Sequence, residues 1–335
     1  MKNVTIRDVA VSAGVSIGTV SRVLNDLPVS QKTSLAVRQA IEELGYSPSG
    51  IAQSMRSNST RAIGLLVNDI SNPLFAHIAK AFDNGLHAAG YSLFIANTEN
   101  DPKRERMIIE SMVQRRVDGL AIAQSAENDR QTNVLLSSVK FPIVLLDRES
   151  ALPLSSVCDD HVAGMKKAVS YLVDLGHRDI AIITGDNHIR PGRERTRGYI
   201  DALKARGIVS KPEHIRQGRL DAAYGAEQMM HLLSAETRPT AVIAGGNQIL
   251  SGVLEIVRQK ELTIPKDFSL IACDEVDLSR LMDPPITVIA RDIQLTGTIA
   301  AELMLNSLAD GSNPIQRRII TPELIVRSSC SAVRN

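Results

Sequence analysis

The chain of 335 residues has no tryptophan, and its aromatic side chains are five tyrosines and five phenylalanines. A pocket built from it has few rings to stack on a flat ligand. Cysteine is as sparse: Cys158, Cys273 and Cys330 lie far apart, with no C-x-x-C pair and no histidine at metal-ligand spacing. They read as small buried or incidental thiols in a reducing compartment. The net charge is only +1, so bulk electrostatics do not announce a nucleic-acid binder. No stretch approaches a membrane span, and the opening MKNVTIRD lacks the apolar run of a secretory signal, so a cytoplasmic protein is expected. There is no G-x-G-x-x-G, P-loop, nucleophile elbow or metal-ligand cluster, and His77, His87, His161 and His177 are isolated. No catalytic residue, metal or cofactor is expected, and the chain does not read as an enzyme. What is present, 44% hydrophobic and 22% charged residues, describes an ordinary globular protein of about two or three domains.

The informative stretch is Thr5–Asn25, TIRDVAVSAGVSIGTVSRVLN. Thr5 can cap a helix, with the Asp8 carboxylate placed to meet free first-turn amides. Ile6, Val9, Ala10 and Ala13 share one apolar face. Gly14 follows where a chain leaving a helix often needs positive φ. Ser16 can cap a second helix that buries Val20, Val23 and Leu24 and shows Ile17, Gly18, Ser21, Arg22 and Asn25 on its other side. Two short helices joined by a tight glycine turn form a helix-turn-helix signature, against the alternative of a helical hairpin inside some other domain. Ser30 can cap a third helix in which Val37, Ala40, Ile41 and Leu44 share a face, closed by Gly45 and Pro48. Residues 1–60 carry six cations against four carboxylates, a small excess that gives each headpiece only modest phosphate affinity.

On these residues the chain resembles the lac repressor (LacI/GalR) family of bacterial transcriptional regulators. The pattern is T-I-R-D-V-A-x-x-A-G-V-S-x-x-T-V-S-R-V-L-N, then V-S, then E-E-L-G-Y-x-P. Later phrases agree: D-I-S-N-P-L-F from Asp69, R-V-D-G-L from Arg116 and L-G-H-R-D-I-A from Leu175. Between them, short apolar strands alternate with helices from Ala62 to Cys273, as parallel sheets covered on both faces require. About ten strands in two similar runs point to two subdomains. The expected fold is an N-terminal all-α helix-turn-helix headpiece plus an α/β periplasmic-binding-protein-like core of two doubly wound parallel-sheet subdomains. The expected divisions are a headpiece over 1–48, a hinge over 49–60 and an effector-binding and dimerisation core over 61–335. Within the core, one subdomain takes about 61–159 and 291–320, the other about 160–290 and 321–335.

The Ser-rich joint Ser49–Thr60 reads as a plain linker on composition. The resemblance implies instead a hinge helix that orders on DNA and wedges an apolar side chain, here Met55 beside Ala52, into the minor groove. Arg22 is the strong base reader, able to bond a guanine edge twice. Ser16, Thr19 and Ser21 suit phosphates. Ile17 and Gly18 suggest contact with a thymine methyl and close approach. Thr5, Asn25 and Ser30 complete the expected DNA-facing set.

In open parallel sheets, ligands bind beyond the carboxyl ends of the strands. Carried over from the family, Asp147, Arg195 and Asp274 would hold effector oxygens, Phe75 would form an aromatic wall, and Asn247 would add a polar contact. Each has a plainer reading: Asp147 paired with Arg148, Asp274 capping the short helix after it, and Arg195 on a solvated face. Arg190, Arg193, Arg195 and Arg197, with His188 nearby, suit an anionic effector. Where the family often has Asn-Asp the chain has Gly246–Asn247, and where it often has Gly-Tyr or Gly-Phe before the aspartate it has Ala272–Cys273. The function this implies is a repressor working as a homodimer, because only eight residues follow Arg327. It would bind a near-palindromic operator under the control of a sugar, sugar acid or sugar phosphate. The competing reading is a solute-binding protein of the periplasmic type, which leaves the headpiece unexplained.

Overall fold

The structure is a computed structural model and describes residues 4–46, 59–310 and 315–333. The joint carrying Ala52 and Met55 lies outside the described residues. The chain divides into two compact units, Met1–Thr60 and Arg61–Asn335.

In the first unit, α1 (Ile6–Ser12), α2 (Ile17–Leu24) and α3 (Gln31–Leu44) bury one aliphatic cluster: Val9, Ala10, Val20, Val23, Val37 and Ala40. Val9, Val20 and Val37 are wholly buried, and each contributes roughly 1.5–3 kcal/mol, a large share for so small a unit. The ends are built by the residues preceding each helix. The Thr5 hydroxyl accepts the Asp8 N–H at 3.4 Å while the Asp8 carboxylate accepts the Thr5 N–H at 2.8 Å, so two orphan amides are satisfied at once. Ser16 and Ser30 cap α2 and α3 with a single bond each, accepting from the Thr19 and Thr33 N–H at 3.1 and 3.2 Å. Gly14, at φ +63°, makes the turn between the first two helices.

The second unit holds two six-stranded sheets. The first combines β1 (Ala62–Val67), β2 (Ser92–Asn97), β3 (Gly119–Ile122), β4 (Ile143–Leu146), β5 (Ser155–Asp159) and β11 (Arg317–Ile320) in the order β11-β5-β4-β3-β1-β2, all parallel. The second combines β6 (Ile180–Gly185), β7 (Ile215–Gly218), β8 (Ala241–Ala244), β9 (Ser269–Cys273), β10 (Thr287–Ala290) and β12 (Glu323–Ile325) in the order β12-β10-β9-β8-β6-β7. Its strands are parallel except β12, which runs antiparallel to β10. Helices α4 (Pro73–Ala88), α5 (Pro102–Gln114) and α6 (Arg130–Ser138) cover the first sheet, and α7 (His161–Asp174), α8 (Arg190–Ala205), α9 (Ala222–Ser234) and α10 (Asn247–Gln259) the second. A short α11 (Asp277–Leu281) precedes β10, and α12 (Ile293–Asp310) returns to pack on α4 and the first sheet. The chain therefore passes between the sheets after Asp159, after Ala290 and after Ile320.

The sequence pattern did not foresee β5, β7, β10, β11, β12 or α6. Strand β5 is buried along its length but reads Ser-Ser-Val-Cys-Asp, without an apolar run. Strand β10, Thr-Val-Ile-Ala, is apolar but only four residues long, and β7, β11 and β12 are edge strands of three or four residues, partly exposed and each carrying charge, as unprotected edges require. Helix α6 buries only Thr132 and Leu136, too little for a stripe. Helix α8 begins at Arg190, four residues before the expected Glu194, because Pro191 is preorganised for a first turn.

Candidate DNA-reading face and effector cleft

On α2, Ser16, Ile17, Gly18, Arg22 and Asn25 are exposed, while Val20 and Val23 face the headpiece core. Ser16 Oγ lies 2.9 Å from Thr19 Oγ1, and Asn25 Nδ2 donates to the Ser21 carbonyl at 2.6 Å. The Arg22 guanidinium donates to the Pro28 carbonyl at 2.9 Å, a neutral partner that leaves its charge available to a base or phosphate. A Cβ built on Gly18 would meet only Ser16 Oγ, at 3.6 Å, which is ordinary contact. The headpiece itself therefore does not demand glycine there. Thr5 and Ser30 sit at the starts of α1 and α3, exposed.

Between the two sheets of the core lies a cavity of about 580 Å³, lined by residues at the carboxyl ends of strands from both. This is where doubly wound sheets place ligands. Phe75, Asp147, Arg195, Asn247 and Asp274 all line it. Asp147 and Asp274 occupy matching places, each one residue past a strand (β4 and β9). Each donates its N–H to the neighbouring strand, to Val157 O at 2.8 Å and Ile289 O at 3.0 Å. Both have left-handed backbones, φ +51° and +76°, a conformation costing on the order of 1–3 kcal/mol and held by what surrounds it.

What surrounds them is Arg291, which sits just past β10 and which sequence reasoning did not single out. Its Nε donates to Asp274 at 2.5 Å, and its Nη1 to Asp147 at 3.0 Å and Asp159 at 2.9 Å. One guanidinium thus ties carboxylates of the first sheet to one of the second. His161 Nε2 lies 2.9 Å from Asp147, and Arg190 reaches Asp147 at 3.3 Å and the Asp159 carbonyl at 2.6 Å. Burial raises the Asp147 carboxyl, but His161, Arg291 and Arg190 outweigh it and hold it well below the usual range. At Asp274 burial is likewise overcome by Arg291 and Arg195, and the carboxyl is lowered. Asp159 is pushed up to about 6, because burial wins over its share of Arg291. Burial brings His161 down to about 4 despite Asp147, so its imidazole is neutral and donates. Asp147, Asp159 and His161 bring potential metal-ligand atoms within 4.8 Å of one another. Two guanidiniums already neutralise those carboxylates, so the donor set does not fit a cation.

Several plainer readings fail on this geometry. Arg148 does not pair with the Asp147 carboxylate. It donates to the Gln124 carbonyl at 2.6 Å, to the Asp147 main-chain oxygen at 2.9 Å and to Asn68 Oδ1 at 3.1 Å. Asp274 does not cap α11, whose N-cap is Val276. Nor do the arginines of α8 form one face. Arg190 is 6% and Arg195 3% exposed, while Arg193 pairs with Glu127 and Glu149 and Arg197 with Glu194. Arg195 bonds the Gly245 carbonyl at 2.6 Å, and its Nε is buried without a partner. Only Arg195 of the four lines the cavity, so the argument from a cluster of four cations to an anionic effector does not hold. His161 is not isolated. The signal for Arg291, Asp159 and His161 was a titratable residue at two of the three places where the chain crosses between sheets.

Residues 5–49 match the family described as bacterial regulatory proteins, lacI family, and residues 169–330 match the periplasmic binding protein-like domain. The HTH-type transcriptional repressor PurR of Pasteurella multocida (strain Pm70) is 33% identical over 329 residues, 97% of this chain and 98% of the relative. Among solved structures, the lac repressor dimer bound to operator and the anti-inducer ONPF is similar with a TM-score of 0.88 at 28% identity. That match covers 99% of this chain and 100% of the other. The transcriptional regulator CelR–cellobiose complex is similar with a TM-score of 0.75 at 27% identity, over 97% and 99%.

Proposed function

The chain belongs to the LacI family and is a DNA-binding transcriptional repressor of that family; we propose that it acts as a homodimer on a near-palindromic operator, controlled by a neutral, hydroxyl-rich effector in the core cleft. The observation that carries the effector reading is the cavity itself, with Asp147, Arg195 and Asp274 converging from both sheets. Its lining carries seven carboxylates and four guanidiniums, an acidic balance that disfavours a sugar acid or sugar phosphate. Leu74, Ile78, Leu146, Ile189 and Leu220, with Phe75, supply apolar walls for the C–H face of a ring. A sugar or sugar derivative meets both requirements. Closing of the subdomains around it alters operator affinity, as reciprocal linkage demands.

In the headpiece, Arg22 reads a base edge, Ser16, Thr19 and Ser21 with Thr5, Asn25 and Ser30 engage the backbone, and Ile17 and Gly18 approach a thymine. Ala52 and Met55 of the joint serve the minor groove. The dimer reading is supported by the edge strand β2, where Phe94 and Ile95 are 55% and 46% exposed, a combination that invites a partner. The divisions at residues 48, 60, 159 and 290 follow the same scheme. No helix among the described residues is long and apolar enough to cross a membrane, and the working place of such a repressor is the cytoplasm.

Isothermal calorimetry on the full chain tests the effector. Neutral mono- and disaccharides and nucleosides are titrated beside sugar acids and sugar phosphates. The expected result is a neutral ligand whose affinity drops about tenfold or more in Asp274→Ala. A sugar phosphate as the tightest ligand would refute neutrality, and undiminished binding by Asp274→Ala would refute the pocket.

A further inference from the structure

Helix α8 carries Arg195 and, in its first turn, Pro191, both of which line the cleft. Helices α4, α5, α6, α7 and α9 are each capped by the side chain just before them: Asn72, Asp101, Asp129, Asp160 and Asp221. Helix α8 is preceded by Ile189, which has no acceptor to offer. The acceptor comes from across the cleft. Glu127, on the loop after β3, takes the Arg190 N–H on Oε1 at 2.8 Å. The same oxygen takes the Glu149 N–H at 3.1 Å, and Oε2 lies 3.0 Å from Arg193 Nη1. The Glu127 N–H in turn donates to the His188 carbonyl at 3.1 Å. Glu149, after β4, adds its Oε1 to Arg190 Nε at 3.2 Å and its Oε2 to Arg193 Nη2 at 2.9 Å. The Glu127 side chain is 8% exposed, so its charge is spent on these partners.

We propose that Glu127 is a positioning residue: a helix cap supplied by one subdomain to α8 of the other, which locks α8, and Arg195 with it, into the closed cleft. An anion at a helix N-terminus meets free amides and the positive end of the helix dipole. Separating the subdomains would leave the first turn of α8 uncapped and strand the buried Glu127 carboxylate away from the Arg193 guanidinium. Opening of the cleft and fraying of α8 are therefore one event. Only the consequence for effector binding rests on the cleft being the effector site; the clasp stands on its own contacts.

Hydrogen exchange read by mass spectrometry on the full chain tests it without any ligand, so its outcome is independent of the calorimetric screen. In Glu127→Ala, exchange over residues 188–194 should rise by about tenfold, the scale of a lost cap, while β3 and β6 stay protected. Glu127→Gln retains an oxygen for the Arg190 N–H and should restore most of that protection. Arg193→Gln, which weakens the clasp from the other side, should raise exchange over the same segment. Spin labels at Val134→Cys and Val209→Cys, 62% and 87% exposed in the wild type and one in each subdomain, should report a longer distance in Glu127→Ala. Unchanged exchange at 188–194, or loss of protection shared equally by β3 and β6, would overturn the proposal.

Discussion

The two functional regions of this repressor are built on opposite plans. The outer side of α2 comes from one stretch of ten residues, Ser16–Asn25, whose polar side chains meet water and bond to one another over three or four positions. The cleft gathers residues from Asn68 to Thr296, and its central bond, Arg291 to Asp147, spans 144 positions. The headpiece face is thus held by its own helix and stays in water, where losing a side chain leaves nothing stranded. The cleft is held by charges that neutralise one another out of water, where losing one leaves its partners uncompensated. Substitutions on α2 should change binding at constant stability. Substitutions in the cleft should change both.

The largest expected effect tests the second half. Arg291→Ala removes the cation shared by three carboxylates, and breaking a buried ion network of this kind costs about 3–5 kcal/mol. Calorimetry should show the core melting on the order of 10 °C lower, and an unchanged melting temperature would break the contrast with α2.

A smaller effect comes from protons in the same cluster. Folded Asp159 keeps a proton up to about pH 6 that the unfolded side chain loses near 3.8, so its contribution to stability declines as pH rises between the two. Folded His161 refuses, down to about pH 4, a proton that the unfolded ring accepts near 6.5, so its contribution declines as pH falls through that window. The slopes are opposed, each up to about 1.4 kcal/mol per pH unit, and largely cancel. Asp159→Asn should uncover the loss toward acid, and His161→Gln the loss between pH 4 and 6 on the way up. Urea unfolding at a series of pH values checks this, and parallel profiles for the two variants would contradict the pairing.

The same contrast explains what could be read from the sequence. The headpiece was legible because caps, apolar spacing and the glycine turn act within a few residues of one another. The two-sheet core was legible at most apolar runs, and it failed at the four-residue β10, at β5 and at the charged edges β7, β11 and β12. Asp147 and Asp274 were legible as strand-end residues, and they and Arg195 were singled out by the family resemblance. Their partners were not, because Arg291 meets them only once the chain has crossed between the sheets. The arginine run of α8 misled for the same reason. Its neutralising carboxylates, Glu127 and Glu149, lie more than forty positions away.

Operator recognition by α2 is the central claim for this repressor. Fluorescence anisotropy of the full chain on an operator selected from random DNA, at one fixed salt concentration, measures this directly. Arg22→Ala should bind about 10- to 100-fold more weakly, the cost of one bidentate base contact, with an unchanged melting temperature. Wild-type affinity in that variant would contradict the assignment of the recognition helix.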